Sequence, residues 1–303
     1  MKADWSQLEI ATDMGVHPST IARERSRNRG ARGDRPKQAH QKAEARHATQ
    51  VTTRSAAATW TLIEAAVRQD WSPEQISGWL DKERPTSVSH ERIYQDLYAD
   101  KQRGGDLFPH LRCRKRRRKR YGSYDRRGRL SGCRSLETRP AIVAEKRRFG
   151  DWEADTISGQ HHQPAIVAVV ERKSKLCFLQ KVERNTATAV EDARSTLLKP
   201  VAEKCHTSTS DNGREFANQQ ESASKLQAGF YFAHPYSSWE RGLNEHTKGL
   251  VRQYFPKKSD FSRITDRDVQ HVMERLNNRP RKTLGYKTPN QVFFKRKPIA
   301  LTS

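Results

Sequence analysis

Apolar positions recur with two different periods along this chain, helical over its first third and strand-like from Phe149 onward. Near the start, Ser6 followed by Glu9 reads as a capping box, with Ile10, Ala11 and Met14 on the buried face behind it. Gly15 supplies a turn, and Pro18 opens a second helix that runs to about Asn28. The alanine-rich stretch from Ser55 to Arg68 carries Trp60, Ile63 and Val67 at helical spacing. Ser72, Pro73 and Gln75 start the next helix, whose apolar face is Ile76, Trp79 and Leu80. Beyond the breaker Pro85, Ser89 caps a further helix with Ile93 and Leu97 on one face and Tyr94 and Tyr98 beside them.

From Phe149 the pattern predicts strands at Trp152 to Ile157, Ala165 to Val170 and Leu176 to Leu179, joined in part by the polar turn Arg172 to Lys175. Three consecutive strands so connected predict an antiparallel meander. Thr186 to Lys204 reads as helix, with Ala189, Ala193, Leu197 and Val201 in steps of four, leading to a short strand that ends at Asp211. Asn212-Gly213 is a turn signal, and Phe230 to Ala233 a further strand. Leu243, Thr247, Leu250, Val251 and Tyr254 define the packed side of another helix, and Thr265 to Asn277 a second, through Val269, Val272, Met273 and Leu276. Thr288-Pro289 starts a last helix that buries Val292 and Phe293.

With 303 residues the chain is long enough for more than one core. Four divisions are expected: a helix-turn-helix over 1–50, a second helical module over 55–111, a basic linker over 112–148, and a mixed α/β domain with a helical extension over 149–303. Little chain precedes Ser6 to supply the helix that normally packs behind a helix-turn-helix, so the first unit reads as truncated on that side.

Charge narrows the partner. Lys and Arg number 58 against 35 acids, a formal net charge of +23, which favours a polyanion. No apolar run reaches the ~20 residues of a membrane span, and no secretory leader is visible, so a cytoplasmic location beside the nucleoid is expected and a membrane partner is not. Four cysteines, at 113, 133, 177 and 205, form no CxxC pair and read as free thiols. Arg23, Arg25 and Arg27 stud the second helix of the first module, as on a helix that reads DNA; the plainer alternative is a solvated basic helix end. Arg116, Arg117 and Arg118 lie within a near-unbroken cationic run that starts at Arg112 and reads as a DNA clamp.

Three acids stand out against this basic background. Asp155 falls on the first strand, Asp211 at the end of a strand, and Glu245 on a helix, off its apolar side and sharing a face with Lys248 and Arg252. By itself Glu245 also fits an ordinary surface ion pair with Lys248. Glu153 shares a strand face with Asp155 and reads as structural, while Arg279, Arg281 and Lys282 are basic candidates for DNA contact.

The order of several segments resembles the IS-thirty group of bacterial insertion-sequence transposases. They are Gly150-Asp151-Trp152-Glu153-Ala154-Asp155-Thr156, Glu171-Arg172-Lys173-Ser174, Asp211-Asn212-Gly213-Arg214-Glu215-Phe216, the run from Pro235 to Gly242, Arg252-Gln253-Tyr254-Phe255-Pro256-Lys257, and the closing Asn278-Arg279-Pro280-Arg281-Lys282 and Leu284 to Pro289. The resemblance spans almost the whole chain. It implies a ribonuclease-H-like catalytic domain of the DDE transposase and integrase superfamily, behind helix-turn-helix modules, with Asp155, Asp211 and Glu245 as the catalytic and metal-binding triad. It also implies two Mg²⁺ or Mn²⁺ ions, DNA carrying terminal inverted repeats and a target DNA as partners, and a homodimer or higher oligomer. Lys248 and Arg252 would then bind phosphates near the cut. Two other readings stand beside it: a catalytically decayed repeat-binding regulator, and a ribonuclease-H-like nuclease that cuts without joining.

Overall fold

The computed structural model describes residues 5–30, 35–50, 57–84, 86–112, 135–160, 163–211, 213–216, 228–233 and 242–296. The chain divides into two compact units, residues 1–56 and 57–303.

In the first unit, α1 (Gln7–Asp13) opens with the Ser6/Glu9 capping box, and α2 (Pro18–Asn28) begins at a proline in its first position. Ala11 is buried between them, whereas Met14 stays exposed. A third helix, α3 (Pro36–Gln50), was not legible in the sequence. Its apolar residues are almost all alanine, so it shows little amphipathic pattern. It is fastened to α2 by polar contacts instead: Arg46 donates to the Arg27 carbonyl at 3.1 Å and to Asn28 Oδ1 at 2.5 Å, and Lys42 to the Arg29 carbonyl at 2.8 Å. The helix-turn-helix thus has a packing partner that follows it in the chain.

The second unit starts with α4 (Ala57–Arg68), α5 (Pro73–Glu83) and α6 (His90–Gln102), which bury Ile63, Val67, Trp79, Leu80, Ile93 and Leu97 in one core. Ser72 and Gln75 form the expected capping box, and Ser89 caps α6. A short helix, α7 (Ala141–Glu145), precedes the sheet.

The sheet comprises β1 (Asp151–Ser158), β2 (Ala165–Glu171), β3 (Cys177–Val182), β4 (Thr207–Ser210) and β5 (Gly229–Phe232) in the order β3-β2-β1-β4-β5. The first three form the antiparallel meander, and β4 and β5 run parallel to β1. This is a ribonuclease-H-like sheet. Helix α8 (Ala187–Leu198) covers one face through Val190, Ala193 and Leu198 against Trp152, Ala154, Val167 and Val169. Helices α9 (Gly242–Tyr254) and α10 (Asp266–Asn277) cover the other through Leu250, Val251, Val269, Val272 and Leu276. A closing helix, α11 (Pro289–Phe294), buries Phe293 against Trp152. Because side chains alternate along a strand, Glu153, Asp155 and Ile157 all turn toward α9.

The α4–α6 module is joined to this domain through Asp70. Its carboxylate accepts from Tyr254 Oη at 2.8 Å and Arg275 at 2.6 Å, and meets His110 Nδ1 at 3.1 Å. Arg279 in turn donates to Tyr254 Oη at 2.8 Å, and Lys282 pairs with Glu74 at 2.6 Å.

Candidate active site

The segment from Gly150 to Asp155 builds its geometry from buried charge. Gly150 sits at φ +97, and an added Cβ would lie 2.0 Å from the Lys204 carbonyl oxygen, so only glycine fits where the chain enters β1. Asp151 is buried and accepts from Nε and Nη2 of Arg148, each at 3.0 Å, and from the Thr207 hydroxyl at 2.7 Å. Glu153 is ion-paired with Arg172 and also accepts from the Asn244 backbone N–H at 3.3 Å. Glu171 accepts from the Gly150 N–H at 3.2 Å and from the N–H and hydroxyl of Ser174 at 2.6 and 2.5 Å. Each of these charges has the partners that burial requires.

On this frame stands Asp155, 2% exposed. Its Oδ1 accepts from the Thr156 N–H at 2.8 Å, and its Oδ2 lies 2.8 Å from the Lys248 ammonium. Asp211 follows the last residue of β4. The β1–β4 ladder pairs Asp151 with Thr207, Trp152 with Ser208 and Glu153 with Thr209; Asp155 lies two residues past the last pair on one chain segment and Asp211 two residues past it on the other. Adjacent strands are ~4.8 Å apart, and the two segments leave the ladder side by side, Asp155 in the middle of β1 and Asp211 just past the end of β4. Asp211 Oδ1 accepts from the Gly213 N–H at 3.1 Å.

Helix α9 lies lengthwise along β1. Asn244 donates to the Ala154 carbonyl at 3.3 Å, Lys248 reaches Asp155, and Arg252 donates to the Ser158 carbonyl at 2.7 Å. Glu245 is exposed on this helix, one turn before Lys248. Residues three apart share a helix face, so the glutamate is carried on the side that serves Asp155.

Lys248, expected beside phosphate, pairs here with Asp155. Arg252 gives its guanidinium to backbone carbonyls, because at the far end of α9 it meets the end of β1. Arg279 is buried and bonded to Tyr254, whereas Arg281 is half-buried and donates to the Leu276 carbonyl at 3.0 Å. Arg23 folds back onto Ser19 at 3.0 Å on the exposed side of α2, where Arg25 and Arg27 are exposed as well. Arg116, Arg117 and Arg118 lie outside the described residues, as do Cys113 and Cys133. One acid received no role from the sequence: Glu215 accepts from the Thr156 hydroxyl at 3.2 Å, and its carboxylate crosses the space beside Gly213. Its place in the segment after Asp211 was the available signal.

The donor set suits a hard divalent cation. Mg²⁺ is held by oxygen ligands and commonly takes only one or two protein carboxylates, and here the buried Asp155 faces α9 while Asp211 follows the strand beside it. Among the described residues no three His, Cys, Asp or Glu side chains are gathered closely enough to hold a metal. Lys248 supplies the positive charge that the buried carboxylate needs.

Comparison with known proteins decides the family. The chain is 41% identical over 295 residues to the transposase for insertion sequence element IS4351 of Bacteroides fragilis, covering 95% of this chain and 90% of that protein. It is 33% identical over its full length to transposase InsI for element IS30A of Escherichia coli (strain K12), covering 82% of the relative. The chain belongs to the IS30-type insertion-sequence transposases. The transposase for element IS1086 of Cupriavidus metallidurans is a further relative at 34% identity, with 95% of this chain and 89% of that one aligned. No protein-family model matches this transposase. Among solved structures, a catalytic core domain of BIV integrase covers 48% of this chain and 93% of its own at 22% identity and a TM-score of 0.37.

Proposed function

We propose that this transposase binds the terminal inverted repeats of its element, cuts the DNA there and joins the freed ends to a target, with Asp155, Asp211 and Glu245 as catalytic residues. The observation that supports the reading is the parallel pairing of β1 with β4, each followed two residues past the last pair by an aspartate, with the glutamate-bearing helix laid along β1 and its Lys248 on Asp155. The reaction class is in-line displacement at phosphorus, with water as nucleophile for cleavage and a 3′-hydroxyl for joining. Asp155 and Asp211 would hold the divalent cations, Mg²⁺ or Mn²⁺ and two in number, and Glu245 would complete the set from α9. When bound, such ions polarise a phosphoryl oxygen and lower the pKa of water.

The remaining work falls to the chain itself. Lys248 neutralises Asp155 before substrate arrives and is released toward the phosphate oxygens as the site fills. Glu153, tied to Arg172 and to the start of α9, fixes that helix against β1 and so sets the distance between Glu245 and the aspartates. Residues 1–50 and 55–111 act as DNA-reading modules, with Arg23, Arg25 and Arg27 on the first. The segment 112–148, including Arg116, Arg117 and Arg118, clamps the backbone. Two ends must be held together for joining, which makes the working form a homodimer or larger.

The test is a labelled duplex ending in the element's inverted repeat, mixed with purified protein and Mg²⁺ or Mn²⁺. Nicking at the repeat boundary and transfer to a target plasmid are expected, both lost in Asp211→Ala while repeat binding persists. Cleavage that survives Asp211→Ala rejects the site; repeat binding with no cleavage by the unaltered chain favours the decayed regulator.

A further inference from the structure

On the α9 face of the sheet, next to the carboxylates, lies a cavity of about 410 Å³ between the start of α9, the turn after β2 and the segment that follows α10. Its charged lining is one-sided. Lys146, Arg172, Lys175 and Arg281 face it against a single carboxylate, Glu153. Glu153 is already taken by Arg172, and although Lys175 donates to the Arg172 carbonyl at 2.6 Å, no carboxylate of the lining is left to balance Lys146, Lys175 and Arg281.

Such unbalanced charge is unfavourable without an anion. Burial, and then the neighbouring Lys146, push the Lys175 ammonium down to about 8. Burial, and then Arg279, push the Arg281 guanidinium down to about 10. The Nε of Arg281 is buried with no hydrogen-bond partner among the described residues, although another of its nitrogens donates to Leu276. Lys175 is held at φ +64, a conformation that lysine adopts at a cost, and Lys146 at φ +55. Arg112, where the cationic run begins, lies against the same helix, its guanidinium 3.2 Å from where a Cβ on Gly249 would stand.

We propose that this cavity is a phosphate-binding site, in which Arg281 and Lys175 hold the phosphoryl oxygens and Lys146 guards the mouth. A guanidinium fork with an ammonium beside it is well matched to a tetrahedral oxyanion. Glu153 on the cavity wall is two residues from Asp155 on the same strand face, ~7 Å away, so a phosphodiester of a bound DNA strand and a free phosphate both fit the chemistry. The inference goes beyond the strand-transfer reading, since the site would exist in a chain that never cuts DNA.

The experiment titrates inorganic phosphate into the full-length protein, with sodium chloride keeping ionic strength constant, and follows the melting temperature. Phosphate should raise it beyond the chloride control. Arg281→Gln and Lys175→Gln should each require about tenfold more phosphate for half the effect, the size of one lost charge-assisted hydrogen bond. Lys146→Ala, at an exposed position, should weaken the effect severalfold and keeps the test available if Arg281→Gln does not fold. Loss of the phosphate increment at saturating DNA assigns the site to a strand phosphodiester, and its persistence assigns it to free phosphate. Coincident phosphate and chloride curves, or variants that respond like the unaltered protein, overturn the proposal.

Discussion

Replacing Lys248 by Met removes the ammonium 2.8 Å from Asp155 and leaves a nearly isosteric apolar chain in its place. Asp155 is 3% exposed in its side chain and Lys248 28%. Removing one partner of a fully buried ion pair costs ~3–5 kcal/mol, and because this ammonium is partly solvated a loss of about 2–3 kcal/mol is expected. For a unit of this size that lowers the melting temperature by roughly 5–10 °C. The deficit should be specific to the carboxylate, so in an Asp155→Asn background the same substitution should cost under about 0.5 kcal/mol. It should also be reversible by a cation. Mg²⁺ at a hundred times its dissociation constant stabilises the folded state by ~2.7 kcal/mol, enough to restore most of the loss in Lys248→Met. The unaltered protein should gain less, because there the ion competes with an ammonium already in place. Calorimetry on the four proteins with and without Mg²⁺ measures all of this. A Lys248→Met protein that melts with the parent, or one whose deficit persists in saturating Mg²⁺ while calcium and manganese also fail, refutes the idea that Lys248 holds the cation's place.

Three further outcomes follow from the packing. Burial pushes the Asp70 carboxyl up, but hydrogen bonds from Tyr254, His110 and Arg275 outweigh it and hold the group below the ordinary carboxylate range. Its folded pKa is therefore the lower one, so its contribution to stability is complete above pH ~4 and is lost as pH falls below it; thermal unfolding between pH 6 and 3 should show a slope that Asp70→Asn flattens. Asn277 receives the Cys177 N–H at 2.8 Å and donates to the Cys177 carbonyl at 2.7 Å, which satisfies the edge of β3. Asn277→Leu orphans both groups and should cost about 2–5 kcal/mol in urea unfolding. Gly150→Ala meets the Lys204 carbonyl and a disfavoured φ together, and should cost at least ~3 kcal/mol, visible as lost soluble yield and a lowered melting temperature.

Local signals made the elements legible. Ser6 with Glu9, Ser72 with Gln75, and Thr288 all cap the helices they announced, and the β1–β3 meander and the Glu245 helix appear where their periodicity put them. Helix α3 escaped because alanines and long polar chains leave no apolar stripe to read. The polar run Thr207–Ser210 makes a poor apolar strand, yet it is fully buried between β1 and β5, with Thr207 bonded to Asp151 and Thr209 receiving Arg139 at 3.1 Å. At the site, the sequence could place acids on elements but could not say which cation meets which acid. Lys248 with Asp155 and Arg172 with Glu153 join residues 93 and 19 positions apart, and Arg279 looks like surface charge until the fold encloses it. Such pairings depend on strand register and helix docking, which no local pattern records.

The central claim is that Asp155, Asp211 and Glu245 together hold the ions that drive strand cleavage. Anomalous diffraction from crystals grown with Mn²⁺ and a repeat-end duplex tests it most directly. Density between the carboxylates of Asp155 and Asp211, with Glu245 drawn in from α9 and Lys248 displaced from Asp155, is the expected result. Manganese bound elsewhere in a complex that still cleaves its DNA would contradict it.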